Sequence, residues 1–390
     1  MIKKIKRMFS NFTALFLYPK ISRQLTKKRK LYFFCHAWSF GGAERVHIDI
    51  LNLFKELNPI CFITDRSKNE GFRKEFEAAA DVINLGRWTE KTAYKNHLHK
   101  KIAKKINNEK APIVLGCNSR FMYELIPFLE PHVKIVDIIH NFSDHNEGAE
   151  WYSIPYIPRL NQRVVVGKKI ISQFKDLYKI SGVSDQYLDR IEVIENKITI
   201  NKTIPAKDFN SIVQIIFVAR NSPEKRVNVM LRIAELCKEK NLPVTFKMIG
   251  NFESYTGKVP PNTEIVGQIH NKRTLNSHYE TAHLLLLTSY REGCGLVVFE
   301  GMSFGVVPLA TNVGELGDYI SLEKKNGILV DNIEDEEKLA NLFMKEIIHF
   351  IADRNELKLF SKNAFDTIAN RFNESTFSDA YKSVVCEKSQ

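Results

Sequence analysis

The feature that most constrains this chain is a twice-repeated succession of short apolar runs alternating with helical patterns. The first run, residues 31–37, reads LYFFCHA and ends at a turn. An unbroken apolar run of this length fits a strand covered on both faces. The turn SFGGAER follows, and then Val46, Ile50, Leu53, Phe54 and Leu57 recur on one helical face. The pattern predicts further strands at 59–64, 81–85, 113–116, 133–140, 162–166 and 191–194, with helices at 92–108 and 119–129. A polar stretch over 196–210, NKITINKTIPAKDFN, interrupts the alternation and reads as a linker. Strands then resume at 214–220, 245–249, 263–266, 284–288, 306–310 and 327–330, with a helix at 226–240 and amphipathic helices from about residue 335. Such alternation predicts parallel sheets with helices on both faces. The expected class is α/β: two Rossmann-like domains whose parallel sheets face a cleft, where strand C-termini converge and ligands bind.

Four segments follow from this reading. Residues 1–30 form a leader, 31–200 an N-terminal domain, 201–372 a C-terminal domain, and 373–390 a closing helix that crosses back to the first domain. The 390 residues carry a net charge of +12, which suggests nucleic acid until it is located. Residues 1–30 hold ten Lys/Arg and no Asp or Glu, leaving about +2 for the other 360 residues. A basic leader on a near-neutral body argues against nucleic acid as a partner. Within the leader, residues 8–18 read MFSNFTALFLY between basic clusters. The stretch is shorter than the roughly 20 apolar residues that span a bilayer. Phe9, Phe12, Leu15 and Phe16 among lysines suit a helix lying on an anionic membrane surface. The six cysteines show neither zinc spacing nor a CxxC pair, which suggests reduced thiols in a cytoplasmic setting. The expected location is cytoplasmic, peripheral on the inner face of the cell membrane.

The chemistry concentrates in residues 288–304, TSYREGCGLVVFEGMSF. A strand ends, a loop holds Glu292, Gly293, Cys294 and Gly295, and a helix opens near Leu296. Glycines ahead of a helix let a ligand approach its free N–H groups, which suit a diphosphate without a metal. Glu292 and Glu300 are carboxylates able to accept hydrogen bonds from paired sugar hydroxyls. Arg220 and Lys225 flank the turn after the second domain's first strand, where cations suit an anion. In the first domain, Gly41 and Gly42 repeat the strand–turn–helix geometry, and His140 ends the strand VKIVDIIH, able to bond a hydroxyl or carbonyl. No Walker A loop and no GxGxxG opening a helix is present, so NAD-type binding lacks support.

Together these strings resemble the family 4 glycosyltransferases of GT-B fold. Glu292 and Glu300 meet the family's E-x7-E pattern, Arg220 and Lys225 its cation pair, SFGGAERV its glycine loop, and IIHN its first-domain histidine. The similarity covers roughly residues 31–345. It implies a retaining, metal-independent hexosyltransferase that uses a nucleotide-diphosphate sugar as donor substrate and no cofactor. Its acceptor would be a glycan or lipid-linked molecule in polysaccharide or lipopolysaccharide biosynthesis. By that resemblance Glu292 holds the donor sugar and Glu300 the ribose. Arg220 and Lys225 neutralise the departing diphosphate with amides of Gly293–Leu296, Gly41 and Gly42 close on the phosphates, and His140 lies near the transferred sugar. The chain departs from the pattern at Arg226, where glycine is usual and an added cation would reach phosphate, and at Cys294, where an aromatic is usual. Two alternatives stay open: a sugar-nucleotide epimerase of the same fold, and a non-catalytic membrane-bound binding module.

Overall fold

The computed structural model describes residues 21–67, 70–143, 148–201, 203–253, 255–372 and 374–387. The chain forms two compact units. The first takes the described residues up to Glu195 together with those from Ser378 onward, and the second spans Asn196–Phe377.

The first unit carries a seven-stranded sheet: β1 Leu31–Cys35, β2 Ile60–Ile63, β3 Asp81–Asn84, β4 Ile113–Cys117, β5 Lys134–Ile139, β6 Gln162–Val165 and β7 Ile191–Val193. They lie in the order β3-β2-β1-β4-β5-β6-β7, every neighbouring pair parallel. Every residue of β1, β2 and β4 is buried, as a sheet covered on both faces requires. The second unit repeats the plan with β8 Val213–Val218, β9 Val244–Ile249, β10 Thr263–Gly267, β11 Leu284–Leu287, β12 Val307–Thr311 and β13 Ile328–Val330. Their order is β10-β9-β8-β11-β12-β13, again all parallel. Both sheets therefore have the doubly wound order, in which the chain crosses to the other side of its first strand halfway through. The resulting switch points lie between β1 and β4 and between β8 and β11, and they decide where the sites form.

The leader begins to pack earlier than its expected boundary at residue 30. Ile21 and Leu25 are buried, and Arg29 is 2% exposed with Nη2 2.5 Å from Asp81 Oδ2. Lys27 Nζ reaches the same carboxylate at 2.8 Å. Hydrogen bonds from Arg29 and then Lys27 hold Asp81 below the ordinary carboxylate range. Half of the leader's ten cations, Arg23 to Lys30, thus belong to a segment anchored in the first unit. The apolar stretch over 8–18 lies outside the described residues. The polar stretch after 195 is also anchored. Lys207 Nζ donates to the carbonyls of Tyr279, Glu280 and Ala282 at 2.8, 3.0 and 2.6 Å, capping the C-terminal end of the helix Lys272–Thr281. Among the described residues, no helix is long and apolar enough to cross a membrane.

Inside the first sheet, Asp137 on β5 stands opposite Arg163 on β6. Arg163 Nε donates to both carboxylate oxygens at 3.0 Å and Nη2 to Oδ2 at 2.6 Å. Tyr123 and Ser153 complete the network, at 2.6 Å to Asp137 Oδ2 and 2.8 Å from Arg163 Nη2. Both charges are at most 2% exposed, so each depends on the other for its burial.

Candidate active site

The second unit's switch point brings together the loops that leave β8 and β11. They are bound to each other before any ligand is considered. Tyr290 N–H donates to the Glu224 carbonyl at 2.8 Å, and Thr288 Oγ1 donates to the carbonyls of Lys225 and Arg226 at 2.9 and 3.2 Å. This bracing places Lys225 Nζ 2.5 Å from Glu292 Oε1, which also accepts from Ser289 Oγ at 2.6 Å. The two side chains are 15% and 12% exposed, so the pair is shielded yet reachable. Arg220 stands apart from it: its side chain is 59% exposed and meets Glu224 at 3.4 Å.

Two glycines shape the Glu292 loop. Gly295 adopts φ 67° at the cap of the helix Leu296–Met302, a left-handed conformation that side chains disfavour. Gly314, which the sequence reading did not single out, has φ 58°, and a Cβ there would meet the Gly293 carbonyl at 2.2 Å. Glu315 N–H donates to that same carbonyl at 3.1 Å, so the segment after β12 forms the floor of the loop. Gly293 and Leu296 are partly buried and Cys294 is 5% exposed. Cys294, expected beside the donor sugar, is therefore a buried thiol. Glu300, one turn into the helix, accepts from Tyr279 Oη at 3.4 Å, and Ser303 Oγ bonds its carbonyl.

Arg226, expected as an added cation at the phosphate, makes contacts within the second unit. The side chain is 8% exposed, Nη1 donates to Asn332 Oδ1 at 2.8 Å, and the guanidinium lies 4.8 Å over the Tyr290 ring. Its backbone is left-handed at φ 46°, which explains why glycine suits this position and why arginine here needs compensating contacts.

The first unit's switch point holds the other expected group. Gly41 caps the helix Gly42–Leu53 in an extended conformation, with Ser39 Oγ donating to Glu44 Oε1 at 2.7 Å beside it. His140, just past β5, lies with Nε2 3.1 Å from Nε2 of His47, on the helix behind the glycines. Cys117 at the end of β4 joins them, and one ligand atom from each of the three lies within 4.8 Å of the others. The sequence reading expected no metal ligands; this is the group of metal-type donors that the described residues bring together, and it carries two nitrogens at hydrogen-bond distance. Sequence reasoning missed His47, whose signal was a polar ring on an otherwise apolar helix face.

Burial pushes the pKa of His47 down to about 3, and burial together with the neighbouring His47 does the same to His140. Both rings are therefore neutral at pH 7. The sign of the linkage follows. The unfolded chain takes up protons below pH 6.5, its histidines' ordinary value, whereas the folded rings refuse them until about 3. Stability should fall as pH drops through that window, by at most about 1.4 kcal/mol per pH unit per ring. Buried His99, lowered to about 4, acts in the same direction, and exposed His36, raised by Asp65, acts weakly against it. In urea melts at pH 6.5 and 5.0, His47→Phe should show a smaller loss than the parent. An equal loss would remove this account.

The model of the family described as Glycosyl transferases group 1 matches residues 204–367. A Klebsiella pneumoniae protein described as an uncharacterized 41.2 kDa protein in cps region is 25% identical over 246 residues, 60% of this chain and 67% of that protein. Among solved structures, Anabaena Alr3699/HepE in complex with UDP-glucose superposes with a TM-score of 0.69 at 14% identity, covering 91% of this chain and 98% of that one. The lipopolysaccharide outer core galactosyltransferase WaaB in its apo form gives 0.68 at 18% identity, with coverage of 91% and 98%. The matched residues span β11, the Glu292 loop and the helix that carries Glu300, within a chain whose two sheets share one doubly wound order. Residues 204–367 thus match the group 1 glycosyltransferase model, and the chain that carries them has the GT-B fold.

Proposed function

We propose that this protein is a retaining, metal-independent glycosyltransferase that moves a sugar from a nucleotide-diphosphate donor to a glycan or lipid-linked acceptor. The observation that carries the reading is the shielded Lys225–Glu292 pair at the β8/β11 switch point, within the residues that match the group 1 glycosyltransferase model. The solved relative with UDP-glucose supports a nucleotide sugar as donor, and the lipopolysaccharide galactosyltransferase supports an envelope glycan as product. Lys225 is the cation at the departing diphosphate, and Arg220 swings from Glu224 to join it. Amides of Gly293–Leu296 add fixed partial charge, and the resemblance assigns Gly41 and Gly42 to the phosphates as well. Fixed cations and dipoles lower the barrier because charge builds on the leaving group in the transition state. Glu292 then turns to the donor sugar's hydroxyls, Glu300 holds the ribose, and His140 meets the transferred sugar as a neutral hydrogen-bonding group. The leaving phosphate itself takes the acceptor's proton, so no separate base is assigned. The basic, apolar leader holds the enzyme on the anionic inner face of the membrane.

The test is a panel of nucleotide sugars without acceptor, read by donor hydrolysis and by thermal shift, with and without chelator. At least one donor should stabilise the protein and be hydrolysed at a rate that chelator leaves unchanged. Glu300→Ala should weaken nucleotide binding by ~10-fold, the loss of a charged hydrogen bond. Glu292→Ala should chiefly lower turnover. Silence toward every nucleotide and nucleotide sugar would end the proposal.

A further inference from the structure

A hollow lies in the first unit among the segments that follow β4 and β5, and neither His47 nor His140 lines it. It has a volume of about 270 Å³ and is lined by Tyr123, Trp151, Tyr152 and Tyr156, with Arg120 and Glu124 at its rim. Pockets for drug-sized ligands run to roughly 300–1,000 Å³, so this one suits a single ring. Its aromatic wall is held in place from behind. Tyr123 Oη donates to buried Asp137, and its ring meets Tyr152 edge-on at 5.4 Å and 78° and Tyr156 at 6.0 Å. Tyr152 Oη donates to Asn118 Oδ1 at 2.9 Å. Trp151 and Tyr156 remain partly exposed.

Chemistry selects the occupant. Aromatic faces carry partial negative charge and attract the weakly positive C–H groups on the flat side of a pyranose ring. At the rim, Arg120 and Glu124 pair with each other at 3.4 Å, and Lys95 Nζ reaches Glu124 at 2.6 Å. Charges of both signs offer donors and acceptors to hydroxyls more readily than they trap an anion. Position points the same way. Asn118, which anchors Tyr152, follows Cys117, the neighbour of His140.

We infer that this hollow is a saccharide subsite that stacks one pyranose ring of the acceptor on Trp151 and Tyr156, next to the His140 end of the sheet. The inference rests on the glycosyltransferase reading for its word acceptor, but its binding test does not. Saturation-transfer NMR with the methyl α- and β-glycosides of glucose, galactose and N-acetylglucosamine, at millimolar concentration, reads ring binding directly. The parent protein should give transfer strongest at the ring C–H protons of at least one glycoside. Trp151→Ala should raise its dissociation constant by about tenfold, and Trp151→Phe, which keeps a stacking face, by no more than about threefold. Tyr156→Ala serves as a second, independent variant, and urea melts matching the parent's report that each variant remains folded. Absence of transfer for all six glycosides would overturn the subsite, as would affinity unchanged in both alanine variants or transfer seen only with a nucleoside. Glycoside binding without any response to nucleotides would instead sink the proposed function while leaving the subsite standing.

Discussion

Replacing Lys225 by alanine is expected to lower turnover by about 10²–10³-fold, the usual scale for removing one group that stabilises transition-state charge. The side chain is shielded, so solvent does not replace it. Its loss also strands Glu292, which is 12% exposed and keeps the Ser289 hydroxyl as a partner. About 1–3 kcal/mol of stability should go with it, the cost of a largely desolvated carboxylate left without its cation. The two effects separate in the double variant Lys225→Ala/Glu292→Gln, in which no stranded charge remains. Denaturant melts should show most of the stability restored, while single-turnover assays show turnover well below that of Glu292→Gln alone. Turnover equal to that of Glu292→Gln alone would mean that Lys225 acts only by holding Glu292.

The larger effect on stability is expected at Asp137. Asp137→Ala leaves Arg163 buried at 2% exposure without its carboxylate, and Tyr123 loses its acceptor at the same time. Breaking one side of a buried pair typically costs about 3–5 kcal/mol, a large part of what a domain has to lose. Urea melts followed in the first unit should show that loss. Asp137→Leu/Arg163→Met should recover much of it, because an apolar pair of similar volume carries no desolvation cost. If the single variant is as stable as the parent, the network is not what holds β5 to β6. Because Tyr123 also lines the aromatic hollow, Asp137→Ala should weaken glycoside binding too, whereas the apolar pair should restore it only in part.

The parallel strands and the long helices were legible before the structure, because each is written in a local period: continuous apolar runs for doubly covered strands, a 3.6-residue recurrence for helices. The loops that carry Glu292 and Lys225 were legible for a related reason. In a doubly wound sheet the chain's own crossover places strand C-termini at the ligand-binding edge, so residues after β8 and β11 belong there by topology. The contacts of Arg226 were not legible, because the pocket formed by Asn332 and Tyr290 is set by residues far along the chain. The packing of residues 21–30 was not legible, because counting charges does not show that Arg29 and Lys27 share Asp81.

Local periodicity and loop chemistry thus carried the fold class, the order of its elements and the residues that flank the second unit's switch point. Tertiary structure alone decided which loops touch: Gly314 beneath the Gly293 carbonyl, His47 against His140 across 93 positions, Asp137 opposite Arg163, and Tyr152 tied to Asn118 at the aromatic hollow. The reason is physical. A residue's own conformation depends on its near neighbours in sequence, but the register of parallel strands joined by crossovers is fixed by packing of the whole sheet. Distances between loops at its edge follow from that register and from nothing local.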